Sequence, residues 1–523
     1  MSFLVEYLDL VMFLVLCAVI LIGHPVTFTL AGVAAAFAAL GWVLGAFDFG
    51  LLGALSQRVF GIMTNGTLIA IPLFVFMGVV LERSRIAEDL LEEMGRRFGT
   101  LRGGLAVSVT LVGALLAAST GIVGATVVTM ALIALPSMLR NGYQPAFAAG
   151  TVCTAGTLGQ IIPPSTLLII LSDVMSSSFQ QAQYEKGLFT VETISVGQVF
   201  AAALLPGLVL VALYILYILL RAWLRPGDAP ALSRDGIAND ERLAVLRVLV
   251  PPIVLIVAVL GSILGGIATP SEAASVGAVG ALLLAGLRLD ARKTKRPILI
   301  ALLSLLALVV LVNLTTIRVQ RSDTGTADWL LAGLAALLIA LALYGIWVAL
   351  RHTAKAGILG EVATRTMTIT AMIFGTIIGA SIFSLVFRGL GGDEHIELLI
   401  QQMPGGETGA LLFVMILVFL LGFVLDFVEI SVIILPIVVP VLLIMDFDPI
   451  WLSVLIAINL QTSFLTPPFG FSLFYLRGAA PAEISTGQIY QGVLPFVGLQ
   501  ALGVLIICLA PQIATFLPRW LFG

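Results

Sequence analysis

Two of the chain's three pairs of adjacent prolines lie deep inside apolar stretches that are long enough to be membrane helices. Pro163 and Pro164 belong to the segment GTLGQIIPPSTLL, and Pro467 and Pro468 belong to SFLTPPFGFSLF. Proline removes a backbone donor and clashes with the preceding turn, which costs a helix interior about 3 kcal/mol. Each pair therefore predicts a broken helix in which carbonyl groups four residues upstream lose their partners. Such groups are tolerated at membrane depth only where protein, water or a ligand satisfies them.

The groups around the two breaks have the chemistry of an ion site. A broken helix presents a carbonyl end that suits a cation and an N–H end that suits an anionic group. Oxygen-bearing side chains flank both breaks, namely Thr154, Thr157 and Ser165 at the first and Asn459, Thr462, Ser463 and Thr466 at the second. Hard oxygen ligands suit Na⁺ better than a transition metal.

Two further apolar stretches, 103–139 and 409–445, carry polar residues near their centres. The first contains Ser119, Thr120, Gly121, Gly124 and Thr126, and the second contains Asp426, Glu429 and Ser431. Ionisable residues inside a membrane segment usually face a cavity or a partner and mark a functional site. We therefore predict a functional role for the two acids, with a position at a wet membrane boundary as the alternative.

The elements that position these residues are membrane helices. Hydrophobic residues make up 60% of the 523 positions and charged residues 11%, against about 25% charged residues in a typical soluble domain. We predict an all-α polytopic membrane protein whose N-terminal segment is a retained span. The predicted spans are at about 3–23, 26–47, 66–82, 143–175, 197–220, 248–267, 269–287, 297–317, 328–350, 367–388, 450–476 and 490–518.

Composition also excludes several functions. A formal net charge of −3 provides no basic surface for nucleic acid. Cys17, Cys153 and Cys508 are too scattered for a disulfide framework or a metal site. The sequence has no nucleotide-binding loop, and we predict no cofactor other than Na⁺ as a coupling ion.

Basic residues predict the orientation, because cytoplasmic loops collect lysine and arginine. The segments 83–102, 221–247 and 288–296 are rich in arginine, whereas the loop after Gly389 is acidic. These assignments agree only if 103–139 and 409–445 each enter and leave the membrane on the same side. Both are therefore predicted to be re-entrant helical hairpins.

Four prolines recur in one register. Pro136, Pro145, Pro163 and Pro164 have counterparts at Pro440, Pro449, Pro467 and Pro468, so the offset is 304 residues throughout (440 − 136, 449 − 145, 467 − 163, 468 − 164). The alternative is that prolines simply mark helix ends. Because the loop 83–102 is basic and its counterpart 389–408 is acidic, we predict inverted repeats. Many secondary transporters build a midplane binding site from inverted repeats with interrupted helices.

The predicted organisation has six parts. They are 1–65, N-terminal scaffold spans and an arm; 66–175, a first repeat with the hairpin 103–139 and the broken helix 143–175; 176–291, scaffold spans; 292–352, an inserted pair of spans; 353–478, a second repeat with the hairpin 409–445 and the broken helix 450–476; and 479–523, a C-terminal span.

Six segments carry a family resemblance in combination. They are AIPLFVFMG (70–78), RGGLA (102–106), GYQPAFAAG (142–150), AGTLGQIIPPS (155–165), GIATPSEAASVGA (266–278) and NLQTSFLTPPFGFSLF (459–474). With these segments the chain resembles the large membrane subunit of tripartite ATP-independent periplasmic (TRAP) transporters, the DctM-like family. The resemblance covers about residues 1–290 and 353–518.

The resemblance implies a Na⁺-coupled, elevator-type importer of organic acids in the bacterial inner membrane. Its partners would be a small four-helix membrane subunit (Q) and a periplasmic substrate-binding protein (P). It also implies that Na⁺ binds where each hairpin tip meets the following broken helix. The first sodium site would use Ser119, Thr120, Gly121, Thr154, Gly156, Thr157 and Gly159. The second would use Asp426, Glu429, Thr462, Ser463 and Thr466. We predict substrate contacts at Gln160, Pro163, Pro164, Ser165, Pro467 and Pro468.

Two features depart from the family pattern. Many members have a serine-rich first tip, whereas here it reads STGIVG, and residues 292–352 are an insertion without an assigned role. One alternative function is a stand-alone sodium/dicarboxylate symporter of related architecture. Another is a membrane-embedded enzyme, but His24, His352 and His395 are far apart in the sequence and have no Asp or Cys partner at a useful spacing.

Overall fold

The computed structural model describes residues 6–121, 123–231, 242–315 and 326–523. In these ranges the regular structure is helical, and nine helices are long and apolar enough to cross a membrane. The predicted all-α polytopic membrane class is therefore confirmed. The first eleven helices are α1 (Leu8–Leu21), α2 (Val26–Val43), α3 (Leu55–Thr64), α4 (Ala70–Arg83), α5 (Ile86–Phe98), α6 (Gly104–Thr120), α7 (Val123–Arg140), α8 (Pro145–Thr157), α9 (Thr166–Glu185), α10 (Val196–Leu224) and α11 (Arg242–Leu264).

The remaining helices continue to the C-terminus. They are α12 (Pro270–Leu289), α13 (Ala291–Leu314), α14 (Thr326–Lys355), α15 (Ile358–Gly389), α16 (Gly392–Gln401), α17 (Gly406–Leu421), α18 (Leu435–Ile444), α19 (Pro449–Leu465), α20 (Phe471–Ala479), α21 (Thr486–Leu509) and α22 (Gln512–Phe522). One α-helical turn at Phe427–Glu429 and a π-helical turn at Ile430–Ile434 precede α18. Single π-helical turns are rare and often occur at functional sites.

Both proline pairs interrupt a helix. After α8, a 3₁₀ turn covers Leu158–Gln160, and α9 begins only at Thr166. The Ser165 hydroxyl donates to the carbonyl of Gln160 at 2.9 Å. After α19, the Ser472 hydroxyl likewise donates to the carbonyl of Phe464 at 2.6 Å. In each break, therefore, a serine satisfies a carbonyl that the prolines release.

The two halves of the chain are interleaved around these breaks. After the first break, α9 packs against α18, and after the second break, α20 packs against α7. Before the breaks, α8 and α19 meet, and the Gln461 side-chain amide donates to the Thr157 hydroxyl at 3.3 Å. Gln461 and Thr157 are separated by the same 304 positions as the four proline pairs (461 − 157). The contact therefore joins two positions that the predicted repeat pairs with each other.

A second group of helices packs around α4 and α15. These two helices contact each other, α12 covers α4, and α2 covers α15. The inserted helices α13 and α14 pack against each other and onto α12. The short helices α5 and α16 follow α4 and α15 and connect them to the helix pairs α6–α7 and α17–α18.

Several helix boundaries differ from the predicted ones, as at the end of the broken helix predicted at 143–175, which runs to Glu185. The span predicted at 367–388 is the second part of α15, which is continuous from Ile358. Its first turns are polar, but Arg365 contacts Glu82 at 3.4 Å, so the helix extends without losing its charge partners. The span predicted at 490–518 ends at Leu509, and the separate helix α22 follows Pro511. Proline fits the start of a helix and interrupts a helix interior, which explains the division at this point.

Candidate transport site

The first helix pair meets the first break at its tip. Gly121 follows α6 in a left-handed conformation, with φ of +61°. Its carbonyl accepts a hydrogen bond from the Thr166 hydroxyl at 2.7 Å, at the start of α9. Ser119 and Thr120 end α6, but their side chains, like Ile122 as a whole, lie outside the described residues.

The other residues predicted for the first sodium site, at the end of α8 and in the 3₁₀ turn that follows it, are buried. The Thr157 hydroxyl donates to the carbonyl of Thr154 at 2.8 Å. Gly156 precedes Thr157 in the chain, and Gly159 follows it by two residues. The Thr154 hydroxyl and both amide atoms of Gln160 are buried without a hydrogen-bond partner among the described residues. An unsatisfied buried polar group costs about 1–3 kcal/mol, so these atoms favour a ligand in this place.

The second helix pair meets the second break in a similar way. A Cβ atom on Gly422, directly after α17, would overlap the Ser463 hydroxyl and lie 2.8 Å from the Ser463 Cβ. Only glycine therefore allows this tip to approach α19 so closely. The hydroxyls of Thr462, Ser463 and Thr466 all donate back to carbonyls of their own segment. Their oxygen lone pairs are consequently free to face a cation.

Two carboxylates lie together at the second tip. The Asp426 carboxylate accepts from the backbone N–H of Phe427 at 2.7 Å, and the Glu429 carboxylate accepts from the backbone N–H of Asp426 at 2.9 Å. Asp426 is half-buried and Glu429 is buried. Among the described residues, neither carboxylate has a lysine or arginine partner within ion-pair distance. The nearby Ser431 hydroxyl is buried and has no described hydrogen-bond partner.

The predicted substrate residues are not equally accessible. Gln160, Pro163, Pro164 and Ser165 are buried at the first break. At the second break, Pro467 is half-buried and Pro468 is exposed, and the Pro468 carbonyl accepts from the Tyr490 hydroxyl at 3.0 Å. The proline pair of the second break is therefore partly exposed, whereas that of the first break is buried.

Comparison with known proteins identifies the family. The model described as "Tripartite ATP-independent periplasmic transporter, DctM component" matches residues 11–319 and 294–513. The chain belongs to this family. It is therefore a large permease of the TRAP transporter type and a multi-pass protein of the bacterial inner membrane, and the alternative of a membrane-embedded enzyme is excluded.

Relatives of this permease cover most of its length. The C4-dicarboxylate TRAP transporter large permease protein DctM of Vibrio cholerae is 27% identical over 90% of each chain. The ectoine/5-hydroxyectoine permease UehC of Ruegeria pomeroyi is 24% identical over 97% of each chain. The isethionate permease DctMQ of Oleidesulfovibrio alaskensis is 25% identical over 97% of this chain and 70% of its own length. Among solved structures, the YdaH transporter of Alcanivorax borkumensis has a similar fold, with a TM-score of 0.54, 14% identity and 98% coverage of both chains.

Besides Thr166 and Gly422, which form the two tip contacts, sequence reasoning missed two further residues of this TRAP permease. Tyr475 on α20 is 43% exposed, and a Cβ atom on Gly124 would lie 2.8 Å from its ring, so the ring packs on the first tip. The Tyr475 hydroxyl also lies within electrostatic range of the Asp426 carboxylate at the second tip. Gln461, the other missed residue, could have been found as the polar counterpart of Thr157 at offset 304. Tyr475 has no comparable sequence signal.

Proposed function

We propose that this chain is the translocating subunit of a TRAP transporter that takes up an organic acid together with Na⁺. The single observation that carries the proposal is the direct contact of each tip with the break of its own repeat. Gly121 contacts Thr166 at the first break, and Gly422 contacts Ser463 at the second. A tip that closes over a broken helix can enclose an ion and a substrate between backbone groups and hydroxyls.

Sodium is the coupling ion that best fits the ligands at the second tip. Asp426 and Glu429 are carboxylates without a described basic partner, and the three hydroxyls beside the second break retain free lone pairs. A buried carboxylate is costly without a cation or sufficient hydrogen bonds. The first site would rely on neutral oxygens, because its described residues include no acid. The full ligand sets remain those predicted from the sequence.

The packing supports inverted repeats with re-entrant hairpins and an elevator motion. The helix after each break packs on a helix of the other half, since α9 contacts α18 and α20 contacts α7. The breaks and tips therefore form one interleaved unit. The connecting helices α5 and α16 are each joined to the surrounding helices by a charged contact. Asp89 on α5 pairs with Arg288 on α12, and His395 on α16 lies 2.9 Å from Asp9 on α1. We infer that the interleaved unit moves while these connections stay with the scaffold.

The substrate class follows from the relatives. Their names specify C4-dicarboxylates, ectoine and isethionate, and several of them are named for C4-dicarboxylates. We therefore propose a carboxylate substrate, delivered by a periplasmic binding protein, and a small Q subunit as membrane partner. The fused name DctMQ of one relative is consistent with a large and a small subunit that work together.

Uptake into proteoliposomes would test the proposal. The chain would be reconstituted with its Q subunit, and radiolabelled succinate, ectoine or isethionate would be added with the cognate binding protein. We expect uptake of one substrate only when both the binding protein and an inward Na⁺ gradient are present. Uptake without the binding protein would favour the stand-alone symporter, and equal uptake with K⁺ would contradict Na⁺ coupling.

A further inference from the structure

The inserted helices α13 and α14 place their basic ends side by side. Gly345 on α14 lies so close to α13 that a Cβ atom there would be 2.7 Å from the carbonyl of Pro297. About two turns further along α14, the His352 ring lies 3.9 Å from Asp290, which caps α13. The last turns of α14 therefore lie beside the first turns of α13. Positive-inside orientation puts both on the cytoplasmic side.

The positive charges at this end are largely unneutralised. Lys295 and Arg296 on α13 and Arg351 and Lys355 on α14 are exposed, and none has a carboxylate within 4 Å among the described residues. Asp290 is already near Lys293, at 3.7 Å, and near His352. Some other arginines on the same predicted side are paired, as in Arg83–Glu361, Arg221–Asp228 and Arg288–Asp89. Four unpaired cations are thus concentrated on two adjacent helix ends.

An aromatic and aliphatic surface continues from these cations toward the membrane. The Arg351 guanidinium lies 5.5 Å from the centre of the Trp347 ring. Trp347 is 55% exposed and Tyr344, on the same face of α14, is 50% exposed. Tryptophan and tyrosine are enriched at the level of lipid headgroups. Beyond them the outer faces of both helices are aliphatic, with exposed residues that include Leu299, Leu302, Leu303, Leu337 and Leu343.

We propose that the basic end of α13–α14 binds an anionic phospholipid. Lys295, Arg296, Arg351 and Lys355 contact the headgroup phosphate, and the acyl chains lie along the aliphatic faces of the two helices. Basic clusters on the cytoplasmic side of membrane helices recognise anionic lipids by this combination of charge and position. A lipid fits better than free phosphate, because the charged and apolar surfaces are continuous. The inserted pair would then attach the scaffold to the inner leaflet. The proposal does not depend on the substrate or the coupling ion.

Native mass spectrometry of the purified, delipidated protein would test lipid binding. The protein would be titrated with dioleoylphosphatidylglycerol and, separately, with dioleoylphosphatidylcholine. The test variant combines Lys295→Gln, Arg296→Gln, Arg351→Gln and Lys355→Gln. The matched control removes four exposed arginines that lie elsewhere on the same predicted side and have no described ion-pair partner, by Arg97→Gln, Arg102→Gln, Arg140→Gln and Arg225→Gln.

We expect the wild type and the control to retain phosphatidylglycerol in preference to phosphatidylcholine. The test variant should lose about tenfold or more in affinity, since each cation near the headgroup contributes to the attraction. Equal retention by the test variant and the control would overturn the proposal. If the fourfold variant does not fold, the two double variants Lys295→Gln/Arg296→Gln and Arg351→Gln/Lys355→Gln replace it.

Two further measurements distinguish the lipid from other occupants. Inorganic phosphate should not reproduce the rise in thermal unfolding temperature that phosphatidylglycerol produces, and an equal rise would indicate a soluble-anion site instead. Phosphatidylglycerol should also remain bound when the Q subunit is present. Its complete loss on assembly would show that this surface belongs to the protein partner, and the lipid proposal would then be wrong.

Discussion

Replacing Gly422 with alanine should weaken Na⁺ binding by crowding the second tip. The added methyl group would overlap the Ser463 hydroxyl and lie 2.8 Å from the Ser463 Cβ, so the tip and α19 must separate. Gly422 has φ of −64°, so alanine introduces no backbone strain there and the effect is steric. Overpacking of this kind costs about 1–3 kcal/mol. If the whole cost opposes tip closure, the apparent Na⁺ affinity falls about 5- to 150-fold.

Thermal unfolding of the purified protein would measure this loss without knowledge of the substrate. Na⁺ would be titrated against choline at constant ionic strength, because an ion that binds the native state raises its stability with concentration. Gly498→Ala on α21 is the matched control, since a Cβ atom at Gly498 meets no atom within 4 Å. A Gly422→Ala protein with the wild-type Na⁺ curve would refute the assignment of an ion site to this contact.

Ser463→Ala distinguishes steric crowding at the second tip from the loss of a Na⁺ ligand. It removes the hydroxyl that we propose as a ligand, while its own donor bond to the carbonyl of Leu460 is a local one within α19. We expect a weaker Na⁺ response with little change in stability in the absence of Na⁺. The double variant Gly422→Ala/Ser463→Ala should regain part of the packing but none of the lost Na⁺ affinity. Recovery of both together would mean that the serine is a packing residue only.

Four further substitutions at three positions test other parts of the site and of the fold. Asp426→Asn should abolish most of the Na⁺ dependence of initial uptake while sparing assembly with the Q subunit, and an unchanged Na⁺ curve would identify a boundary acid. Tyr475→Ala should raise the KM for the transported acid with the Na⁺ thermal response unchanged, and Tyr475→Phe tests whether the hydroxyl or the ring is responsible. Asn65→Ala removes the 2.9 Å hydrogen bond to Asp173 on α9 and should lower the unfolding free energy by about 1–3 kcal/mol. Denaturant unfolding would measure that change, and a difference below about 0.5 kcal/mol would contradict it.

Local signals in the sequence predicted the parts of the fold that local chemistry determines. Adjacent prolines disfavour a helix interior, and both breaks were placed correctly at Pro163–Pro164 and Pro467–Pro468. The signal is not sufficient by itself, because a third pair, Pro251–Pro252, lies inside the continuous helix α11. The continuous helix α15 was missed because its polar first turns look like an interfacial segment. In the structure, Arg365 and Glu361 of α15 pair with Glu82 and Arg83 of α4, respectively. Partners that lie on another helix cannot be identified from the sequence of one segment.

The candidate site was less predictable because it depends on how separate helices meet. The roles of Asp426 and Glu429 could be suspected from their charge alone, and their shared backbone contacts appear only in the folded tip. Tyr475 lies eight residues beyond Pro467 on a helix whose exposed face looks lipid-facing in sequence. Its contact with Gly124 arises because α20 of the second half packs on α7 of the first.

The difference in charge between the two tips has a consequence for coupling. The second tip carries Asp426 and Glu429, and the position of Asp426 corresponds at offset 304 to Ile122 in the first (426 − 304). An organic anion bound near these two acids, which have no described basic partner, would be repelled, whereas bound Na⁺ would cancel part of that charge. Sodium would then increase the affinity for the anion, and by thermodynamic reciprocity the anion would increase the affinity for Na⁺ by the same factor. Asp426→Asn removes one of the repelling charges together with a Na⁺ ligand. The proposed mechanism therefore requires this variant to bind the anion with less dependence on Na⁺, rather than to lose anion binding altogether.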